Sequence, residues 1–188
     1  MSDTANRIID VMAKLIQTRG YSAVSYQDIS DAIGIRKASI HYHFPAKADL
    51  GVAVIQKYSE SLMAPLDVAD KDPSTTPYDK LDIYFAAYQG FKGDDKRVCL
   101  CGTLAGEYYA LPEVMQAEVN RFFQAQQAWL SELFKDGKNS GVFKLPGTPE
   151  QTARLYFDAL QGALLSKRAI GDDAQIDDVV ATLKALVR

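Results

Sequence analysis

Arg36, Lys37, Ser39, His41, Tyr42, His43 and Lys47 fall within twelve positions, and every one of these side chains can donate a hydrogen bond. Donors and cations of this kind suit phosphate oxygens, which take charge, and base edges in a DNA groove, which take directed bonds. The competing reading is a solvated charged face. His41 and His43 are the only histidines of the chain, and two positions apart on a helix they point to different sides. They therefore do not converge as metal ligands, and no metal site is expected. The chain has no glycine-rich phosphate loop, no nucleophile elbow and no metal motif. Catalysis is not expected, and neither is a cofactor.

The elements that must hold these donors are helices. Ile8, Val11, Met12 and Leu15 follow the i, i+3, i+4, i+7 rule, and Gly20 stops that run. Ser25 starts a second helix with Asp28 three residues on, a variant of the capping box. Ile29, Ala32 and Ile33 form its apolar side, and Gly34 ends it with a tight turn. A short third helix runs from about Arg36 to His43 and is closed by Phe44-Pro45. Two short helices across a glycine turn are the layout of a helix-turn-helix, which lays its second helix in the major groove. Ile35, Ile40 and Phe44 can face the core, which leaves the donors outside, with His43 expected to pack at the helix end.

Charge alone argues the other way. The 188-residue chain carries a formal net charge of -3. Its first fifty residues hold six Lys/Arg against five Asp, and the remainder 15 basic against 19 acidic residues. A local basic face can still bind phosphates on an acidic protein. No apolar run approaches the roughly 18 residues of a membrane span, and the start lacks the pattern of a signal peptide. A cytoplasmic protein without a membrane partner is expected.

Helical periodicity continues to the end, with about nine helices and no convincing strand, so the fold class is all-α. A fourth helix is expected over roughly Lys47–Ser61, followed by a polar loop at Ala69–Pro77. Leu81, Tyr84, Phe85 and Tyr88 form the next stripe, and Gly93-Asp94-Asp95 breaks it. Cys101, Leu104, Ala105 and Tyr108 form another; Leu111-Pro112-Glu113 and Thr148-Pro149-Glu150 begin two long helices. The last helix holds Ile176, Val179, Val180, Leu183, Leu186 and Val187.

The run Gly20-Tyr21, Ser25-Tyr26-Gln27-Asp28-Ile29, Ala32-Ile33-Gly34-Ile35, then Ser39-Ile40-His41-Tyr42-His43-Phe44-Pro45-Ala46-Lys47 closely resembles the N-terminal signature of the TetR/AcrR family of repressors. The likeness covers about residues 5–55. It implies a three-helix DNA-binding domain over residues 1–46 and a ligand-binding and dimerisation domain over 47–188. It further implies that Ser25 bonds a phosphate from a helix N-terminus and that Arg36, Lys37 and Ser39 reach into the groove. Tyr42 would touch backbone or base, and Lys47 a phosphate. His41 stands where the family has tyrosine, and Ala38 where glycine or proline is common.

The resemblance also implies an inducer between the fourth and eighth helices. Tyr84, Tyr88, Cys101, Tyr108, Phe122, Phe123 and Trp129 are its candidate lining, with Glu107 among them; packing of a plain core is the alternative. Cys99 and Cys101 are read as core thiols, with oxidant or electrophile sensing as the alternative. The small residues Ala159, Gly162, Ala163 and Ser166 lie on one side of a helix whose other side is Tyr156, Phe157, Leu160 and Leu164. One helix with two apolar faces must bury both. The small-residue face, with Val179 and Leu183 of the last helix, is the expected dimer interface. The function that follows is a ligand-responsive regulator, a repressor, binding a palindromic operator as a homodimer. The other reading is a DNA-binding structural or protein-partnered factor without an inducer.

Overall fold

Every regular element of the computed structural model, which describes residues 2–93 and 96–187, is helical. The described residues form α1 (Asp3–Arg19), α2 (Tyr26–Ile33), α3 (Lys37–His43), α4 (Lys47–Lys71), α5 (Pro77–Gln89), α6 (Leu100–Gly106), α7 (Glu113–Asn139), α8 (Pro149–Ile170) and α9 (Ala174–Leu186), with a 3₁₀ turn at Tyr108–Ala110. The all-α class with nine helices read from periodicity is what these residues form.

Two element ends differ from the sequence reading. α4 does not stop near Ser61 but runs through Pro65 to Lys71. Proline inside a helix has no N–H for the carbonyl four residues back, at a cost of about 3 kcal/mol. Beyond it, Leu66 and Ala69 are only 2% and 3% exposed, and their burial carries the helix on. α6 ends at Gly106, so Tyr108 leaves the stripe of Cys101 and Leu104 and opens the 3₁₀ turn. Of the break expected at Gly93-Asp94-Asp95, Asp94 and Asp95 lie outside the described residues.

Packing divides the chain into two units, Met1–Glu60 with Arg97–Phe122, and Ser61–Lys96 with Phe123–Arg188. The boundary expected between residues 46 and 47 falls inside the first unit. α1 and the two short helices α2 and α3 have too little apolar surface to close a core, so Leu50, Val54 and Ile55 of α4 are also buried and α6 packs on α1. The buried face of α1 is Ala5, Ile8, Ile9, Met12 and Ile16; Val11 and Leu15 stay half-buried at its edge.

In the second unit α8 packs along α9, and α5 joins them. Phe134 meets the Tyr156 ring edge-on at 4.7 Å, and the Tyr156 hydroxyl donates to the Leu183 carbonyl, tying α8 to α9. Capping boxes at Thr76 with Asp79 and at Thr148 with Gln151 start α5 and α8, each with proline in the first turn. No helix among the described residues is long and apolar enough to cross a membrane.

Candidate nucleic-acid interface

α3 is held by Ile40, by Phe44 just beyond its end and by a tyrosine of α2. Ile40 has no exposed surface and Phe44 is buried, so the opposite side of the helix faces outward. Gly34 takes the left-handed conformation, φ 69° and ψ 32°, and donates to the Ser30 carbonyl, while Ser30 Oγ donates to the carbonyl of Ile35. Tyr26 of α2 donates to the Phe44 carbonyl at 2.8 Å and lies edge-on to His41 at 4.7 Å. Burial, and after it the charge of Asp49, pushes the Tyr26 phenol up to about 12. Sequence reasoning did not single out Tyr26, although its place at the start of α2 is visible there.

The outward side of α3 carries Arg36, Lys37, Ala38, His41 and Tyr42, all exposed, with Tyr42 at 81%. Ser39 and His43 are half-buried, and His43 lies against Tyr42. Arg36 stands at the N-cap position of α3 and makes no side-chain cap bond there.

Two expected phosphate contacts are engaged within the chain. Ser25 donates from its N–H (2.8 Å) and its hydroxyl (2.6 Å) to Asp28 Oδ2. These bonds hold the Asp28 carboxyl below its usual range, and Arg19 pairs with it at 3.2 Å. A phosphate at the start of α2 would meet a carboxylate with Ser25's donors already given away. Lys47 Nζ donates to the Tyr21 carbonyl at 2.7 Å and sits 4.1 Å over the Tyr21 ring. Burial lowers its pKa, and Glu107 is the first charge that opposes the shift. Lys47 therefore pins the α1–α2 turn.

Glu107, at the end of α6, braces the same turn. Its Oε2 accepts from Ser22 N at 2.9 Å and Ser22 Oγ at 2.5 Å. A Cβ on Gly20 would collide with that carboxylate, and φ there is +88°. Only glycine fits the turn. Gln17 adds a second tie, donating to the Val98 carbonyl at 3.1 Å. Glu107 is thus a support of the α1–α2 turn.

The residues expected around a ligand are divided. Cys101, Tyr108 and Phe122 belong to the first unit; Tyr84, Tyr88, Phe123 and Trp129 belong to the second. Phe122 meets Tyr58, and Tyr108 accepts from Asn120. Tyr84 stacks on Trp129 at 5.6 Å and its hydroxyl is 3.2 Å from that of Tyr88, which accepts from Gln161. Phe123 packs on Phe157. A groove of about 370 Å³ lies along Tyr84, lined by Ser61, Leu62, Pro65, Leu66 and Ile83 with two alanines. Cys99 and Cys101 are free thiols, both buried, and burial pushes the Cys101 thiol well above its usual value. A thiol kept protonated and covered is a poor nucleophile.

On α8, Gly162 is exposed, and a Cβ there would meet nothing of its own chain. Ala159 and Ser166 are half-buried, as is Val179 of α9. Ala163 and Leu183 are buried within their own chain, at 5% and 3% exposure. They belong to the inner face because α8 and α9 pack on each other through it. The outward side of α8 carries Leu155 (45% exposed) and Leu165 (53%) instead.

Residues 8–54 match the family of bacterial regulatory proteins, tetR family. A transcriptional regulator of the TetR family from Agrobacterium tumefaciens is 33% identical, with a TM-score of 0.91 over 98% of this chain and 97% of that one. A TetR transcriptional regulator from Legionella pneumophila is 31% identical, with a TM-score of 0.89 over 100% and 99% of the two chains. The chain belongs to the TetR family of transcriptional regulators. The HTH-type transcriptional repressor DhaR of Mycobacterium sp. (strain GP1) is 27% identical over 84% of this chain and 79% of its own. This TetR-family protein is thus a DNA-binding regulator and not an enzyme, and the exposed donors of α3 are its candidate reading surface.

Proposed function

We propose that this regulator is a repressor that binds a palindromic operator as a homodimer and releases it when a small, largely apolar inducer enters the second unit. The observation that carries the reading is the outward face of α3, where Arg36, Lys37, His41 and Tyr42 stand exposed on a helix whose other side is locked by Ile40, Phe44 and Tyr26. One such helix reaches few bases, and specific binding needs two of them about one helical turn, ~34 Å, apart. The outward side of α8, with Ala159, Gly162, Leu165 and Ser166, supports a twofold contact between copies, with Leu186 of α9 also exposed. The apolar groove along Tyr84 supports an inducer site. An inducer there must bind the DNA-incompetent state more tightly than the competent one, or it shifts nothing. The compartment that fits such a protein is the cytoplasm.

The test is selection from a fragmented genome by the purified protein at moderate salt. Enrichment of an inverted repeat bound by two chains is the expected result. No enriched fragment, or a wild-type protein that is monomeric at micromolar concentration, overturns it.

A further inference from the structure

We propose that the ligand of the second unit is a small uncharged molecule, apolar over most of its surface and carrying one hydroxyl or amide donor, and that Gln126 reads that donor. The proposal rests on the inducer reading above and gives its ligand a chemistry.

Gln126 lies on α7 with no exposed surface. Its Nε2 is 3.1 Å from Met63 Sδ, a weak acceptor. Among the described residues no donor reaches its Oε1. Turning the amide over would set the oxygen against the sulfur and orphan the nitrogen instead. In either orientation a strong polar group is buried unsatisfied, at a cost a leucine in the same place would avoid. A residue that costs stability where it sits is suited to a contact made in another state.

The surroundings say what that contact is. Met63 is half-buried, so it touches both the outside and the buried amide. Its neighbours on α4, Leu62 and Leu66, line the groove along Tyr84. The Tyr84 ring stacks on Trp129, about one turn of α7 beyond Gln126. Methionine has three rotatable bonds, and in this proposal a swing of Met63 opens the amide towards the groove without moving a helix. Among the described residues no charged one lines the groove. A carboxylate or an ammonium entering it would lose water and find no counter-charge. A neutral molecule loses little, and its O–H or N–H supplies what Gln126 Oε1 lacks. The more polar cavity nearby, with Asp70, Lys80, Glu132 and Asp136, is a different case: its Asp70 already accepts from Trp129 Nε1 at 2.8 Å and pairs with Lys80 at 2.8 Å.

Trp129 is the chain's single tryptophan and stacks on a groove residue, so its emission reports occupancy. The whole protein is titrated with four matched probes: cyclohexanol, cyclohexyl methyl ether, cyclohexylamine and cyclohexanecarboxylate. The alcohol should bind roughly five- to ten-fold tighter than the ether, the worth of one neutral hydrogen bond. The two charged probes should bind more weakly than either. Gln126→Leu should bind alcohol and ether alike and unfold no earlier than wild type; Gln126→Met gives the same readout should the leucine variant not fold. Equal binding of alcohol and ether by wild type overturns the proposal. So does a variant that keeps the preference, a charged probe that binds tightest, or silence from all four. Release of the selected DNA fragment, measured in parallel, separates the two readings. Binding through Gln126 without release sinks the inducer and leaves the site. Release by a charged effector, indifferent to Gln126, sinks the site and leaves the inducer.

Discussion

α3 and the inner side of α7 treat polar side chains in opposite ways. On α3, Arg36 just before it, then Lys37, His41 and Tyr42, stand in the open, on a helix with one fully buried residue, Ile40. On α7, Gln126 is fully enclosed, and one of its two polar atoms has no partner among the described residues. The difference follows from the size and charge of what each is proposed to meet. A duplex is a rigid polyanion that must be met by donors already in place, since ordering them later would cost affinity. A small neutral ligand can be surrounded only by an interior, and an interior that waits for it holds an imperfect packing until it arrives.

The harshest test of the contrast lies outside both surfaces. Gly162→Leu adds a side chain at an exposed position where a Cβ meets nothing of its own chain, so a large effect is expected from a second copy. It should leave both units folded and yield monomers by light scattering. Affinity for the operator should drop towards the non-specific level, about a thousand-fold or more. A mutant that stays dimeric, or that keeps its operator affinity, breaks the idea that two α3 helices act together.

Next in size is the brace under the reading helices. Gly20→Ala places a Cβ against the Glu107 carboxylate at a backbone angle L side chains rarely adopt, and should cost about 2 kcal/mol or more in urea unfolding. Adding Glu107→Ala should return part of that loss, because one obstacle is gone. Additive losses would mean the two residues do not meet in solution.

Within the cationic residues the structure separates two kinds. Lys37→Ala should cost about 1–3 kcal/mol at particular base pairs, read in a binding titration against substituted operators. Lys47→Ala should cost about 1 kcal/mol of stability through the lost bond to Tyr21, with the salt dependence of DNA binding unchanged. A salt slope that falls by about 0.9 in Lys47→Ala would return that lysine to the phosphates.

The smallest effect concerns pH. Tyr26 has its folded-state value raised to about 12 from 10.0, so the folded protein holds that proton after the unfolded chain has lost it. Its contribution to stability is complete below pH 10 and fades as pH rises towards 12. Tyr26→Phe should be slightly less stable at neutral pH, from the lost bond to the Phe44 carbonyl, and should show a shallower decline above pH 10. Equal declines in the two proteins would mean that another tyrosine governs the alkaline limb.

Much of this was legible in the amino-acid sequence. The cap at Ser25, the helix start at Thr148, the turn at Gly34, and the outward donors of α3 are relations between residues a few positions apart, and such relations are decided by local geometry alone. The sequence by itself therefore determined the helices, the helix-turn-helix and the side of α3 that faces outward. What it left open is which of two apolar faces another helix covers. Periodicity shows that Ala163 and Gly162 both lie on sides of α8 able to be buried; only packing against α9 buried the first and left the second bare. Lys47 is a cation in sequence and a clasp on Tyr21 in space. Glu107 finds Ser22 from 85 residues away, and Gln126 loses its water to helices distant in the chain. Contacts of that separation depend on how whole helices settle against one another, because the side chain that wins a place is chosen by every neighbour at once.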